Sequence, residues 1–167
     1  MTDINISGQK NILTVDPGLG GTGWAFWDKL ECAPNEYGVI RSPVTITKWE
    51  YKASTICREF DNILGLLPYR CRICYIEFPK SWSQSQKSHA ATYKGDLLKL
   101  AFLIGRLVEI LESKWDFEYV HLIEPHVWKG QLSKKQVNKR IRKELGESYP
   151  DHISDAVGMG LYLMGRL

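Results

Sequence analysis

The stretch Ile12-Leu13-Thr14-Val15-Asp16-Pro17-Gly18, followed by Gly20-Gly21-Thr22-Gly23, decides the reading of this chain. Residues 11 to 16 are a short β-rich run ended by Pro-Gly, and Thr22 to Trp27 are another, so Gly20-Gly21 between them predicts a hairpin. Asp16 closes the first strand. The Pro-Gly after it turns the backbone away, so the carboxylate projects from the end of a central sheet. The plainer alternative for Asp16 is a turn residue before Pro-Gly.

Working outward, Tyr37 to Trp49 reads as a third extended stretch through Val39, Val44, Thr45, Ile46 and Thr47, with Pro43 marking a bulge or an edge. Residues 51 to 67 carry helical spacing in Ile56, Phe60, Ile63, Leu64 and Leu67, closed by Pro68. Cys71 to Phe78 is the next strand, stopped by Pro79, which gives Glu77 the context of Asp16: a carboxylate at the end of an apolar run. A polar loop from Lys80 to Ser88 contains one aromatic, Trp82. The following helix, from His89 or Tyr93 to Ser113, has two apolar stripes: Leu97, Ala101, Ile104, Val108, Leu111 and Leu100, Leu103, Leu107, Ile110. One stripe covers a sheet; the second asks for another partner, either a neighbouring helix or a second subunit.

Phe117 to Glu124 alternates as a strand and ends at Pro125. Ser133 with Gln136 three residues on predicts a capping box for a basic helix, Gly146 to Pro150 breaks it, and a last helix runs from Asp151 to the end. His152 and Asp155 stand three apart in its first turn, hence on one face, and Asp151 is placed to cap it. The expectation is an α/β fold: one domain over residues 1–167, a mixed five-stranded sheet flanked by helices.

The 167 residues are 44% hydrophobic, with no apolar run of membrane-spanning length and no basic, apolar leader at Met1-Thr2-Asp3-Ile4-Asn5, which predicts a cytoplasmic protein without a membrane partner. Of four cysteines, Cys71 and Cys74 have zinc-ligand spacing. On a strand, however, positions 71 and 74 point to opposite faces, so buried free thiols are expected. The net charge of +3 is mild, but Lys129, Lys134, Lys135, Lys139, Arg140, Arg142 and Lys143 lie together with no acid among them, which points to a polyanionic partner.

Two neighbouring strand-end carboxylates repel one another and call for a shared proton or a bridging cation. The Asp-Pro-Gly strand followed by Thr-Gly, the strand-ending Glu77, and a C-terminal helix bearing His152-x-x-Asp155-Ala resemble the RuvC family of Holliday-junction resolvases, in the RNase H-like superfamily. The resemblance runs in element order from about residue 10 to the end. It implies catalytic and metal positions at Asp16, Glu77, His152 and Asp155, with Mg2+ as cofactor and Mn2+ as a substitute. It also implies hydrolysis of phosphodiesters in four-way or branched DNA, an aromatic wedge at Phe78 or Trp82, and phosphate contacts from Lys129, Lys134, Lys135 and Lys139. The second stripe of the long helix, with the two equivalent scissile strands of a four-way junction, predicts a homodimer through that helix. The alternatives are an RNase H-like nuclease acting on RNA and a junction binder whose site has decayed. Actin-like kinases share a similar opening hairpin but need two such domains, more than this length supplies.

Overall fold

The computed structural model describes residues 11–28, 31–67, 71–79 and 95–167. Five strands, β1 (Ile12–Asp16), β2 (Thr22–Trp27), β3 (Glu36–Ile40), β4 (Ile73–Glu77) and β5 (Tyr119–Ile123), form one sheet in the order β3-β2-β1-β4-β5. The β1–β2 and β2–β3 pairs are antiparallel, whereas β4 pairs parallel with β1 and β5 parallel with β4. Five helices complete the described chain: α1 (Trp49–Leu66), α2 (Asp96–Lys114), α3 (Pro125–Trp128), α4 (Lys134–Leu145) and α5 (Asp151–Leu163). None is long and apolar enough to cross a membrane.

The period-2 pleat sorts side chains onto two faces. Leu13, Val15, Trp24, Phe26, Cys74 and Ile76 meet α1 and α2 in one apolar cluster. Ile12, Ala25, Trp27, Tyr75 and Ile123 meet α3, α4 and α5 in the other. Asp16 and Glu77 continue the second set by parity, and the Val15↔Ile76 pairing makes them neighbours one step further along parallel strands. Both carboxylates therefore leave the sheet at the same end, on the face covered by α5.

Three expectations change. The third strand stops at Ile40 rather than reaching Trp49, because Ile40 already pairs with Thr22, the first residue of β2, and nothing lies beyond it to complete a ladder. Despite their β-branched side chains, residues 41–48 turn instead, with the Ile46 amide donating to the Pro43 carbonyl at 2.9 Å and Val44 96% exposed. The two stripes of α2 merge into one broad face: Leu103, Ile104, Leu107 and Leu111 are buried, with Leu100, Val108 and Ile110 packed at its flanks. Cys71 precedes β4 and so does not face away from Cys74. Both are buried free thiols in the same cluster, and burial pushes the Cys71 thiol up to about 12.

Helix α5 lies unusually close to β1 and β2. A Cβ on Gly23 would sit 2.1 Å from the His152 carbonyl oxygen, and one on Gly160 would sit 2.2 Å from the Trp27 ring. Beneath this contact the buried Thr14 hydroxyl donates to the Ala156 carbonyl at 2.8 Å and accepts from Trp27 Nε1–H at 3.2 Å, so β1, β2 and α5 share one polar tie. Gly160→Ala should destabilise the fold by about 1–3 kcal/mol through overpacking. Gly105→Ala, on the exposed side of α2 with open space around it, should stabilise by about 0.5–1 kcal/mol. Urea denaturation of the two variants checks the contrast in sign.

Candidate functional site

Asp16 is buried at the end of β1, and its Oδ2 lies 2.8 Å from His152 Nδ1. The hairpin shapes this contact. The Gly21 amide and the Thr22 hydroxyl both donate to the Gly18 carbonyl, at 3.2 and 3.1 Å, and Thr22 accepts from the Gly18 amide. This tight loop is open to the imidazole because Gly18 and Gly21 lack side chains: a Cβ on Gly21 would lie 3.1 Å from His152 Cδ2, and one on Gly18 3.3 Å from His152 Cε1 and only 2.7 Å from the Gly21 carbonyl oxygen.

Glu77, at the end of β4, accepts a hydrogen bond from Trp128 Nε1 at 2.8 Å, and Lys129 Nζ stands 3.8 Å from the same oxygen. Trp128 is itself buried, and Lys129 Nζ lies 4.9 Å from the centre of its ring. Asp155, on α5, binds Lys134 Nζ at 2.8 Å. Lys134 also pairs with Asp151, whose carboxylate is thereby held below its usual range. Asp151 is thus not the expected cap: Pro150 occupies that position, and no side chain caps α5. The Ser133–Gln136 capping box forms as read, and it fixes the start of α4 and with it Lys134.

The electrostatics follow from burial. Glu77 is pushed up to about 7, first by desolvation and then by the negative charge of Asp16, against the smaller opposing effects of Lys129 and Trp128. Asp16 is raised by burial, although its bond to His152 acts the other way, and His152 is raised mainly because it donates to Asp16. The site carries more buried negative charge than its own cations offset.

Among the described residues, no three His, Cys, Asp or Glu side chains converge as a ready ligand set. Each carboxylate instead has its own partner: Asp16 with His152, Glu77 with Trp128 and Lys129, Asp155 with Lys134. The donor chemistry nevertheless fits a hard divalent cation, since adjacent buried carboxylates with a charge deficit are oxygen donors of the kind Mg2+ takes. His152 fits that role less well, its Nδ1 being engaged by Asp16. Of the other candidate residues, Lys135 and Lys139 are exposed on α4, away from its buried Val137 and Ile141. Phe78 packs into the α1 and α2 cluster, on the opposite face of the sheet from Asp16 and Glu77, so it is not brought to the site. Trp82 lies outside the described residues.

Trp128 was not singled out in the sequence. Pro125 reads as a strand stop, yet it also opens a four-residue helix from its first position, and that turn delivers Trp128 to Glu77.

No protein-family model matches the chain, and no curated protein matches it by sequence. Among solved structures, it is similar to T. thermophilus RuvC in complex with a Holliday junction substrate, with a TM-score of 0.66 and 17% identity, over 94% of this chain and 95% of that one. A second structure of Thermus thermophilus RuvC gives a TM-score of 0.63 and 18% identity, over 93% and 97% of the two chains. The fold is therefore RuvC-like, an RNase H-like α/β architecture.

Groups whose folded pKa is raised hold protons that the unfolded chain releases, so they make stability fall as pH rises. In a metal-chelating buffer, the burial of ionised Glu77 should erode stability between its ordinary 4.5 and about 7. The His152–Asp16 contribution should be fully present below about 6.5 and lost as pH rises through the raised value of the histidine. Denaturation midpoints across pH should show Glu77→Gln flattening the lower segment and His152→Gln the upper one.

Proposed function

We propose that this protein is a metal-dependent endonuclease that hydrolyses phosphodiesters in Holliday junctions and related branched DNA. The observation that carries the reading is the adjacency of Asp16 and Glu77 at two parallel strand ends of a RuvC-like sheet, with Asp155 of the facing helix near enough for its charge to raise both. A basic helix, α4, stands beside them. One of the similar structures is described as a complex with a Holliday junction substrate, which supports branched DNA as the substrate class.

In this reading Asp16, Glu77 and Asp155 hold Mg2+, for which Mn2+ substitutes, and His152 stands at the edge of the set. The bound metal supplies an activated water and charge neutralisation at the phosphate. Trp128 orients Glu77, much as second-layer donors orient metal-binding carboxylates elsewhere. His152, held through Nδ1–H by Asp16, keeps Nε2 as a proton acceptor. Lys129 and Lys134, beside those carboxylates, would take the phosphates next to the scissile bond, while Lys135 and Lys139 would bind the backbone farther out.

Cleavage of a synthetic four-way junction with Mg2+ tests the reading, with linear duplex, structured RNA and chelator as controls. Asp16→Asn should abolish cutting while junction binding stays intact or improves, since a ligand is lost together with a charge that repels phosphate. Cutting at the wild-type rate in that variant removes the metal-site assignment. Trp128→Phe should lower the rate by about 10–100-fold, the scale for losing a partner that orients a ligand. Binding without cutting, for every metal tried, favours a junction-binding protein instead.

The proposed assembly is a homodimer through α2, whose outer side exposes Leu98 (76%) and Phe102 (45%) beyond the face that covers the sheet. Two equivalent scissile strands in a four-way junction suit a two-fold partner. Light scattering at micromolar concentration should give twice the 19.2 kDa of one chain. A mass that falls to one chain in Leu98→Glu places the contact on α2, whereas a monomeric wild type removes the dimer.

A further inference from the structure

Away from the carboxylates, a cavity of about 550 Å3 opens where the turn at residues 45–48 meets the first three turns of α1. The residues that decide its chemistry are Thr45, Thr47, Lys48, Tyr51, Thr55 and Arg58, and among the described residues none that lines it is acidic. Hydroxyls and two cations with no carboxylate make a surface for an anion with several acceptor oxygens. Thr55, only 9% exposed, puts a largely buried hydroxyl residue into the cavity lining. Both cations are held weakly. Lys48 Nζ stands 5.9 Å from the centre of the Tyr51 ring, and among the described residues Arg58 pairs with its sequence neighbour Glu59 in an exposed contact that contributes little and yields readily to phosphate.

Spacing and position narrow the ligand. Lys48, Tyr51, Thr55 and Arg58 recur at intervals of three, four and three residues and so line one face of α1. From Lys48 to Arg58 that face is about 15 Å long at 1.5 Å per residue. This is far too long for one phosphate, and it matches roughly four nucleotides at about 3.4 Å each along a strand. The cavity belongs to the α1 layer, which covers the face of the sheet opposite to the one from which Asp16 and Glu77 project, so it is a surface apart from the carboxylates.

We propose that this cavity is a second nucleic-acid contact, which grips the phosphodiester backbone of a DNA arm beyond the face that carries the carboxylates. It rests on the nucleic-acid reading given above and adds to it a surface separate from α4. Hydroxyl and cation contacts to phosphates carry no base information, so the contact fixes the angle at which an arm leaves the site rather than a sequence.

The test is fluorescence anisotropy of a labelled four-way junction in chelating buffer, across a salt series, with wild type and Lys48→Ala/Arg58→Ala. The double variant should bind about tenfold more weakly at moderate salt, and its log–log salt slope should be shallower by about 1.8, for two phosphate contacts. Lys48→Gln alone, which keeps the other contacts and serves if the double variant misfolds, should lose about half that slope change. Junctions whose arms are cut back to three base pairs should bind wild type and double variant alike. Wild-type affinity and slope in both variants on long arms overturn the proposal and leave the nuclease reading standing. A wild type that binds neither junction nor duplex defeats the nuclease reading, and this proposal with it. Thermal stabilisation by inorganic phosphate that is lost in the double variant, with DNA binding unchanged, assigns the cavity to a free anion and equally overturns the proposal.

Discussion

The contact on which the rest of the structure depends is the seating of the α5 backbone against β1 and β2. Helices normally stand off a sheet by the thickness of their side chains, about 10 Å between layers. Here Gly23 on the sheet and Gly160 on the helix remove that thickness, and Trp27 lies flat in the space that Gly160 leaves. The Thr14 hydroxyl then reaches the Ala156 carbonyl across the interface, a buried polar bond that fixes the helix along its axis as apolar packing alone cannot. With the rotation and height of α5 set, His152 falls onto Asp16 and Asp155 faces the same end of the sheet. The geometry of the acidic cluster is thus a consequence of backbone packing one to two turns away.

That packing brings like charges together in a place poorly reached by water. The fold meets the electrostatic cost in three different ways. Asp16 receives an imidazole from the same helix, Glu77 an indole N–H and a more distant ammonium, and Asp155 a lysine shared with Asp151. Glu77 has the weakest of these arrangements, because its cation stands at 3.8 Å rather than in hydrogen-bond contact, and its carboxyl is accordingly the one pushed furthest into the neutral range.

Much of this architecture is legible in the sequence because its signals are local. Pro-Gly after Asp16, Pro79 after Glu77, and the Ser133–Gln136 box each act within four residues and place their elements without reference to the rest of the chain. The failures have one physical character: they depend on what lies across the fold. Residues 44–47 have strong strand preferences, but whether they pair is decided by where β2 begins. The two stripes of α2 are a true periodicity, but the breadth of the surface they cover is set by α1 and the sheet together. The partnership of Trp128 with Glu77 joins residues 51 apart, so no local pattern announces it, and the same holds for the Thr14 tie to α5.

On the proposed reading, the pairing of each acid with its own base also has a chemical use. A metal ion and a phosphate bring opposite charges into the site, and each finds partners already there: the carboxylates for the metal, Lys129 and Lys134 for the phosphate. His152 behaves differently from the lysines, because its bond to Asp16 runs through one ring nitrogen while the other stays available, and that bond raises its pKa above the ordinary imidazole value. An aspartate in its place would add a third negative charge beside Asp16 and a further oxygen donor. The imidazole instead lowers the negative charge of the site and adds a titrating group, which makes metal demand and pH response at this position properties of the same side chain.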